Sequence, residues 1–261
     1  MDKVVTPHVI LYIDILGYEN LLNNSIKKHG TENHFLQKVN FLVLDLLKFL
    51  NERNKRVDKK ESSIRLSRFK SHVFSDNIVF FAEIEPNDNL NIDRDNLYHN
   101  LLLGLGEFLF KYNKSLMFFR GAVSCGNLHY DNEIKMLFGS GLIDTYRLEN
   151  DVAIYPRIII DSCFPSDGLA IGFRKDYDGV GVLDYLEIGK WHTLRAKNLW
   201  DSPENVYEHI KPFVDELGDA ISSGLVENKE NPRVYQKYTY LRNYLTWFCR
   251  TNNYPEYKFG S

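Results

Sequence analysis

Two aspartates stand inside runs that are otherwise apolar. Asp14 lies in Val9-Ile10-Leu11-Tyr12-Ile13-Asp14-Ile15-Leu16-Gly17-Tyr18, and Asp76 in Ser71-His72-Val73-Phe74-Ser75-Asp76-Asn77-Ile78-Val79-Phe80-Phe81. An ionised carboxylate on a buried strand is costly unless a cation meets it. Two such strands side by side aim both carboxylates at one point, a donor set suited to divalent cations and phosphate chemistry. Each has a plainer structural account as well: Asp14 as a turn-capping residue, Asp76 as a hairpin-turn residue.

The elements that must hold these carboxylates follow from hydrophobic periodicity. Residues 8–15 read as a buried strand, Gly17 permits a tight turn, and Tyr18 to Leu22 start a helix. From Phe35 to Leu50, apolar residues at 35, 36, 39, 42, 43, 46, 47 and 50 recur at helical spacing. Residues 51–63 are charged without apolar period and read as a solvated loop. Residues 64–82 read as two strands with a turn near Ser75-Asp76, and Leu97 to Tyr112 as a second long helix. Phe118 to Gly126 is a strand continued by Leu128 to Tyr130; Phe138 to Glu149 reads as a loop entering a helix; residues 152–161 are another strand. The order β-α-β-β-α-β is an α+β pattern, the ferredoxin-like split unit. Beyond it lie a strand pair around Leu169–Phe173 and Val180–Leu186, a helix around 204–223, and an aromatic helix from Tyr235 to Cys249. The expectation is one domain over 1–261, with a core at 8–161 and a C-terminal elaboration at 162–261.

Composition excludes several alternatives. With 261 residues, 44% of them apolar and 14% aromatic, the chain can bury a sizeable core. A net charge of −3 offers no global attraction to nucleic acid or anionic membrane. No apolar run reaches the length of a membrane span, about 18 residues or more, and no signal peptide precedes the first strand. Cys125, Cys163 and Cys249 are widely spaced and odd in number, which points to a reducing cytoplasm and to buried, inert thiols.

Taken in order, three segments resemble the motifs of class III nucleotidyl cyclases, the adenylate and guanylate cyclase catalytic domain. Tyr12 to Tyr18 is similar to that family's first metal-aspartate motif, and Phe74-Ser75-Asp76 to its second, with Ser75 where a glycine is usual. Phe138-Gly139-Ser140-Gly141-Leu142-Ile143-Asp144-Thr145-Tyr146-Arg147-Leu148-Glu149 is similar to the segment that ends in the transition-state arginine followed by Leu-Glu. The resemblance covers residues 8–161 and implies a class III cyclase domain. In such a domain the ribose 3′-oxygen attacks the α-phosphorus in line and pyrophosphate leaves.

By resemblance, Asp14 and Asp76, with the Ile15 carbonyl, hold two Mg2+ or Mn2+ ions. The backbone amides of Leu16, Gly17 and Tyr18 face the β- and γ-phosphates, and Arg147 stabilises charge at the α-phosphate. The family's composite sites imply a homodimer, with aspartates from one copy and the arginine from the other. Arg120, after two phenylalanines on a strand, reads as a structural ion-pair partner.

The chain departs from the family pattern at the residues that read the nucleotide. Ile143 stands where a ribose-orienting asparagine is usual, His72 where a base-reading lysine or glutamate is usual, and Met136 at the second base-reading position. Structural accounts of His72 as a satisfied histidine and of Met136 as pocket wall or core remain open. This divergence, and the Lys-Tyr-x-x-Leu segment from Lys237 to Leu241, resemble the pyrimidine cyclases of bacterial Pycsar antiphage systems. That implies UTP or CTP as substrate and a cyclic nucleotide alarm signal. A divergent adenylate or guanylate cyclase, and a non-catalytic nucleotide sensor or dimerisation module on the same fold, are the alternatives.

Overall fold

The strand that carries Asp14 lies in the middle of a sheet. The computed structural model describes residues 5–57, 64–86, 94–113, 117–164, 172–197 and 203–259. In it β1 (Thr6–Ile15) is buried at every position from His8 to Ile15. An unbroken apolar run, rather than an alternating one, is what a strand covered on both faces requires. β1 pairs antiparallel with β4 (Asn77–Pro86) on one side and β5 (Phe119–Asp131) on the other, and β3 (Lys70–Phe74) forms a hairpin with β4. Between these strands come α1 (Tyr18–His29) and α2 (Asn33–Val57), then α3 (Arg94–Asn113). The order β3-β4-β1-β5, all neighbours antiparallel, is the expected ferredoxin-like βαββαβ arrangement, and the fold is α+β.

Smaller strands widen the sheet. β2 (Ile64–Leu66) pairs with the far end of β4, and β6 (Met136–Phe138) pairs with the end of β5. β7 (Ile158–Ile160) runs parallel to β5, followed across the sheet by β9 (Gly181–Leu183) and β8 (Phe173–Lys175). The helix α4 (Ser140–Arg147) leads directly into a π-helical turn, Leu148–Val152, closed by Ala153 N–H donating to the Leu148 carbonyl at 2.9 Å.

The chain divides into two compact units: Met1–Leu105 with Phe119–Leu183, and Gly106–Phe118 with Asp184–Ser261. The first holds the whole sheet. The second is helical, with α5 (Tyr185–Lys197), α6 (Pro203–Glu227) and α7 (Pro232–Thr251). Within it, the Tyr244 hydroxyl donates to Asp184 at 2.6 Å and accepts from the Leu186 N–H at 3.1 Å. That tyrosine thereby ties α7 to the first turn of α5.

Several sequence expectations need correction. Residues 51–57 continue α2 instead of forming a loop; the apolar period stops at Leu50, but Glu, Arg and Lys are good helix formers. Residues 58–63 lie outside the described residues. The stretch 64–82 holds two strands and the start of a third, which runs on to Pro86. Within 152–161, only 158–160 is strand; Val152 closes the π-turn and 153–157 connect the two. Of Val180–Leu186, β9 uses three residues and α5 has begun by Tyr185; 169–171 lie outside the described residues. Cys249 is buried, but Cys125 is half-buried and Cys163 exposed. A hydrogen bond with Cys125 and burial push the Cys163 thiol up, and burial pushes Cys249 to about 11.

Candidate active site

Asp14 is the next-to-last residue of β1, opposite Asn77 on β4 and Arg120 on β5. The hairpin bearing Asp76 is fastened to the same point: the Ile15 N–H donates to the Asp76 carbonyl at 3.1 Å. The backbone thus brings both aspartates to the same end of neighbouring strands. Asp76 follows Ser75, whose φ of +59° is left-handed. Such a turn position favours glycine, which gives a physical reason for glycine being usual there. The Asn77 side chain donates to Asp76 Oδ1 at 3.0 Å and orients it.

Asp14 is only 7% exposed, and its cationic partner is Arg120, whose Nε donates to Asp14 Oδ2 at 2.5 Å. The same Nε lies 2.8 Å from Glu149 Oε1, and Glu149 is 1% exposed. Burial works against the Arg120 charge. The bond to Asp14 and the fields of Asp14, Glu149 and Asp76 outweigh it, and the pKa is raised. Tyr12, one step along the same face, has its hydroxyl pKa raised by burial first, then by Glu149, Tyr146, Asp14 and Asp76. This end is therefore rich in negative charge.

Among the described residues no three His, Cys, Asp or Glu side chains converge to hold a metal by themselves. Two carboxylates and a backbone carbonyl are hard oxygen donors, and they fit a divalent ion that completes its shell with substrate oxygens. Gly17 (φ +73°) caps α1 with no side-chain bond to the first-turn amides, so the Leu16-Gly17-Tyr18 turn leaves backbone N–H groups open. Tyr18 packs edge-on to Phe35 with ring centres 5.0 Å apart.

Arg147 stands on α4, which lies unusually close to β5. A Cβ on Gly126 would sit 2.5 Å from Gly141 Cα, and one on Gly141 would sit 2.8 Å from Ile10 Cδ1. Thr145 Oγ1 donates to the Gly141 carbonyl at 2.6 Å, which leaves Ser124 as donor in the 2.5 Å bond joining the two hydroxyls. Tyr146 meets Tyr12 edge-on, ring centres 5.7 Å apart. The Arg147 side chain itself points away: it is 68% exposed and pairs with Asp144 at 3.8 Å, with no contact to Asp14 or Asp76. Beyond the π-turn, buried Arg157 donates to the Val152 carbonyl, Asp176 and Asp178, each at 2.7 Å, and so pins the turn's end.

His72 is half-buried with its ring 5.8 Å from that of Phe74; Met136 and Ile143 are exposed. The structure brings Asp14 and Asp76 together with the Gly17 turn. Within one copy it does not bring Arg147 to them. A cavity of about 310 Å3, lined in part by His8, Lys70, Glu83 and Tyr130, lies towards the other end of β1. At ~3.3 Å per residue it is roughly 20 Å along the strand from Asp14.

No protein-family model matches the chain, and no curated protein matches it. Among solved structures, it is similar to the monomeric guanylyl cyclase domain of the RhoGC fusion protein from the aquatic fungus Blastocladiella emersonii. That likeness is at 13% identity and a TM-score of 0.42, over 69% of this chain and 95% of that one. A bacterial light-regulated adenylyl cyclase is similar at 11% identity and a TM-score of 0.42, over 74% and 57%. A class III adenylyl cyclase-like ATP-binding protein from Pseudomonas aeruginosa is similar at 12% identity and a TM-score of 0.38, over 70% and 40%.

Glu149 is the site residue that sequence reasoning passed over. Its inward orientation belongs to the π-turn Leu148–Val152, which no residue type marks. No helix among the described residues is long and apolar enough to cross a membrane.

Proposed function

We propose that the chain is a nucleotidyl cyclase that converts UTP or CTP to the 3′,5′-cyclic monophosphate and pyrophosphate, as an antiphage alarm signal. The observation that carries the cyclase part of this reading is the Ile15–Asp76 backbone bond, which sets two acidic residues beside the Gly17 turn. When bound, two Mg2+ or Mn2+ ions supply a lowered pKa for the attacking 3′-hydroxyl and neutralise the leaving pyrophosphate. Asp14, Asp76 and the Ile15 carbonyl hold them. The open amides of Leu16, Gly17 and Tyr18 orient the β- and γ-phosphates. The exposure of Arg147 supports a role in a second copy's site, where its guanidinium meets charge growing on the α-phosphate. His72 and Met136 contact the base. A neutral imidazole both donates and accepts, which suits a pyrimidine edge.

Two observations favour a second reading, a non-catalytic nucleotide-binding module: Arg120 already neutralises Asp14, and Ile143 cannot orient a ribose. Incubation with each of ATP, GTP, CTP and UTP plus Mn2+, with the product identified, separates the readings. Cyclic UMP or cyclic CMP is the expected product. Cyclic AMP or GMP alone supports a divergent purine cyclase, and nucleotide binding without turnover supports the module.

A further inference from the structure

Arg120 Nε is shared between two carboxylates, at 2.5 Å from Asp14 and 2.8 Å from Glu149. The two acceptors differ in setting. Asp14 sits at a strand end beside Asp76, whereas Glu149 is held in a π-turn whose far end is pinned by Arg157. π-turns inside helices concentrate at functional sites because they re-aim a single side chain. Here the extra residue turns Glu149 inward, where it is 1% exposed. Three carboxylates, Asp14, Asp76 and Glu149, act on the Arg120 guanidinium.

We propose that Glu149 is a positioning residue that takes over Arg120 when a divalent cation engages Asp14, so that one guanidinium serves as the counter-ion of Asp14 before metal binding and of Glu149 after it. The inference rests on the metal-site reading above. Without Glu149, Arg120 stays on Asp14 and competes with the incoming ion. Without Arg120, the ion has no competitor. Removing a charged partner from a ligand's surroundings changes metal affinity by about 10- to 100-fold.

The test is Mn2+ binding to the full chain without nucleotide, followed by the paramagnetic resonance signal of free Mn2+, with thermal unfolding as the check on folding. Glu149→Gln keeps shape and one acceptor oxygen but removes the charge, and weakens Mn2+ binding by about tenfold or more. Glu149→Asp restores the charge and returns affinity toward that of the unaltered chain. Arg120→Gln tightens Mn2+ binding. Should Glu149→Gln fail to fold, the aspartate and Arg120→Gln variants decide. Equal Mn2+ affinity in the folded Glu149→Gln and unaltered chains overturns the role of Glu149, as does weaker binding by Arg120→Gln. No Mn2+ binding by the unaltered chain without nucleotide overturns the inference; the metal-site reading, in which substrate oxygens complete the ion's shell, is tested separately by the incubations with Mn2+ and the four triphosphates.

Discussion

Asp14 is tolerated in the middle of a sheet because Arg120 meets it, and the same guanidinium leans on Glu149. This arrangement sets what Asp14→Ala does. Arg120 keeps Glu149 as a partner, so no buried charge is stranded. The cost is one charge-assisted hydrogen bond, about 1–3 kcal/mol, and the fold persists. On the proposed function, turnover loses several kcal/mol of transition-state charge stabilisation, equivalent to roughly a 10³-fold or greater fall in rate. Steady-state kinetics and thermal unfolding of this variant check both halves. A rate within tenfold of the unaltered chain would remove Asp14 from the chemistry. On the proposed function, His72 contacts the base rather than the metal. His72→Ala is expected to narrow the preference for UTP or CTP over ATP by about tenfold, through a lost hydrogen bond in the pocket. Its Mn2+ affinity stays unchanged. Unaltered base preference in that variant would assign His72 to structure alone.

The element that presents Asp76 is a two-residue hairpin turn closed between Phe74 and Asn77, with Ser75 at φ +59°. A left-handed residue with a Cβ costs about 1–2 kcal/mol, part of which glycine gives back as chain entropy. Ser75→Gly is therefore expected to raise stability by about 0.5–1 kcal/mol in denaturant unfolding; a loss would show that the serine side chain contributes a contact that outweighs the strain. At the other end of β1, His8 has its pKa lowered from 6.5, first by burial. The sign follows from linkage. The unfolded chain protonates His8 at a higher pH than the folded chain does. Stability is present above about pH 6.5 and falls as pH drops toward the folded value. Melting temperature measured from pH 7.5 to 5.5 should decline more steeply for the unaltered chain than for His8→Asn; parallel slopes would contradict it.

Strand-level order was readable because β1 and the first half of β4 are apolar runs with no competing helical period, and the two aspartates stood out against them. Three things were not readable. The charged end of α2 lacks an apolar face, so periodicity falls silent where helix propensity continues. The π-turn at 148–152 differs from an α-turn by one hydrogen-bond step, a change no residue type marks. The sharing of Arg120 between Asp14 and Glu149 depends on a strand and a helix end that are far apart in sequence. The close approach of α4 to β5 was half-visible: Gly126 and Gly141 were noticed as a strand end and a helix entry, not as a pair in contact.

At the scale of the whole molecule, the residues proposed for one reaction do not meet in one copy. Asp14 and Asp76 share one end of neighbouring strands, while Arg147 is 68% exposed beside Asp144. Exposed apolar side chains at Phe74, Met136, Ile143 and Tyr146 accompany it. A two-fold pairing of copies would complete two equivalent sites, each with the aspartates of one chain and the arginine of the other. The central claim is that these three residues act in one cyclisation. It is tested most directly by mixing inactive Asp76→Ala with inactive Arg147→Ala and measuring cyclic nucleotide formed from UTP or CTP with Mn2+. Random pairing makes half the dimers mixed, each with one intact site of two, so activity should return to about a quarter of that of the unaltered chain. Mixed dimers that form, as shown by differently tagged copies recovered together, yet produce no cyclic nucleotide would contradict it.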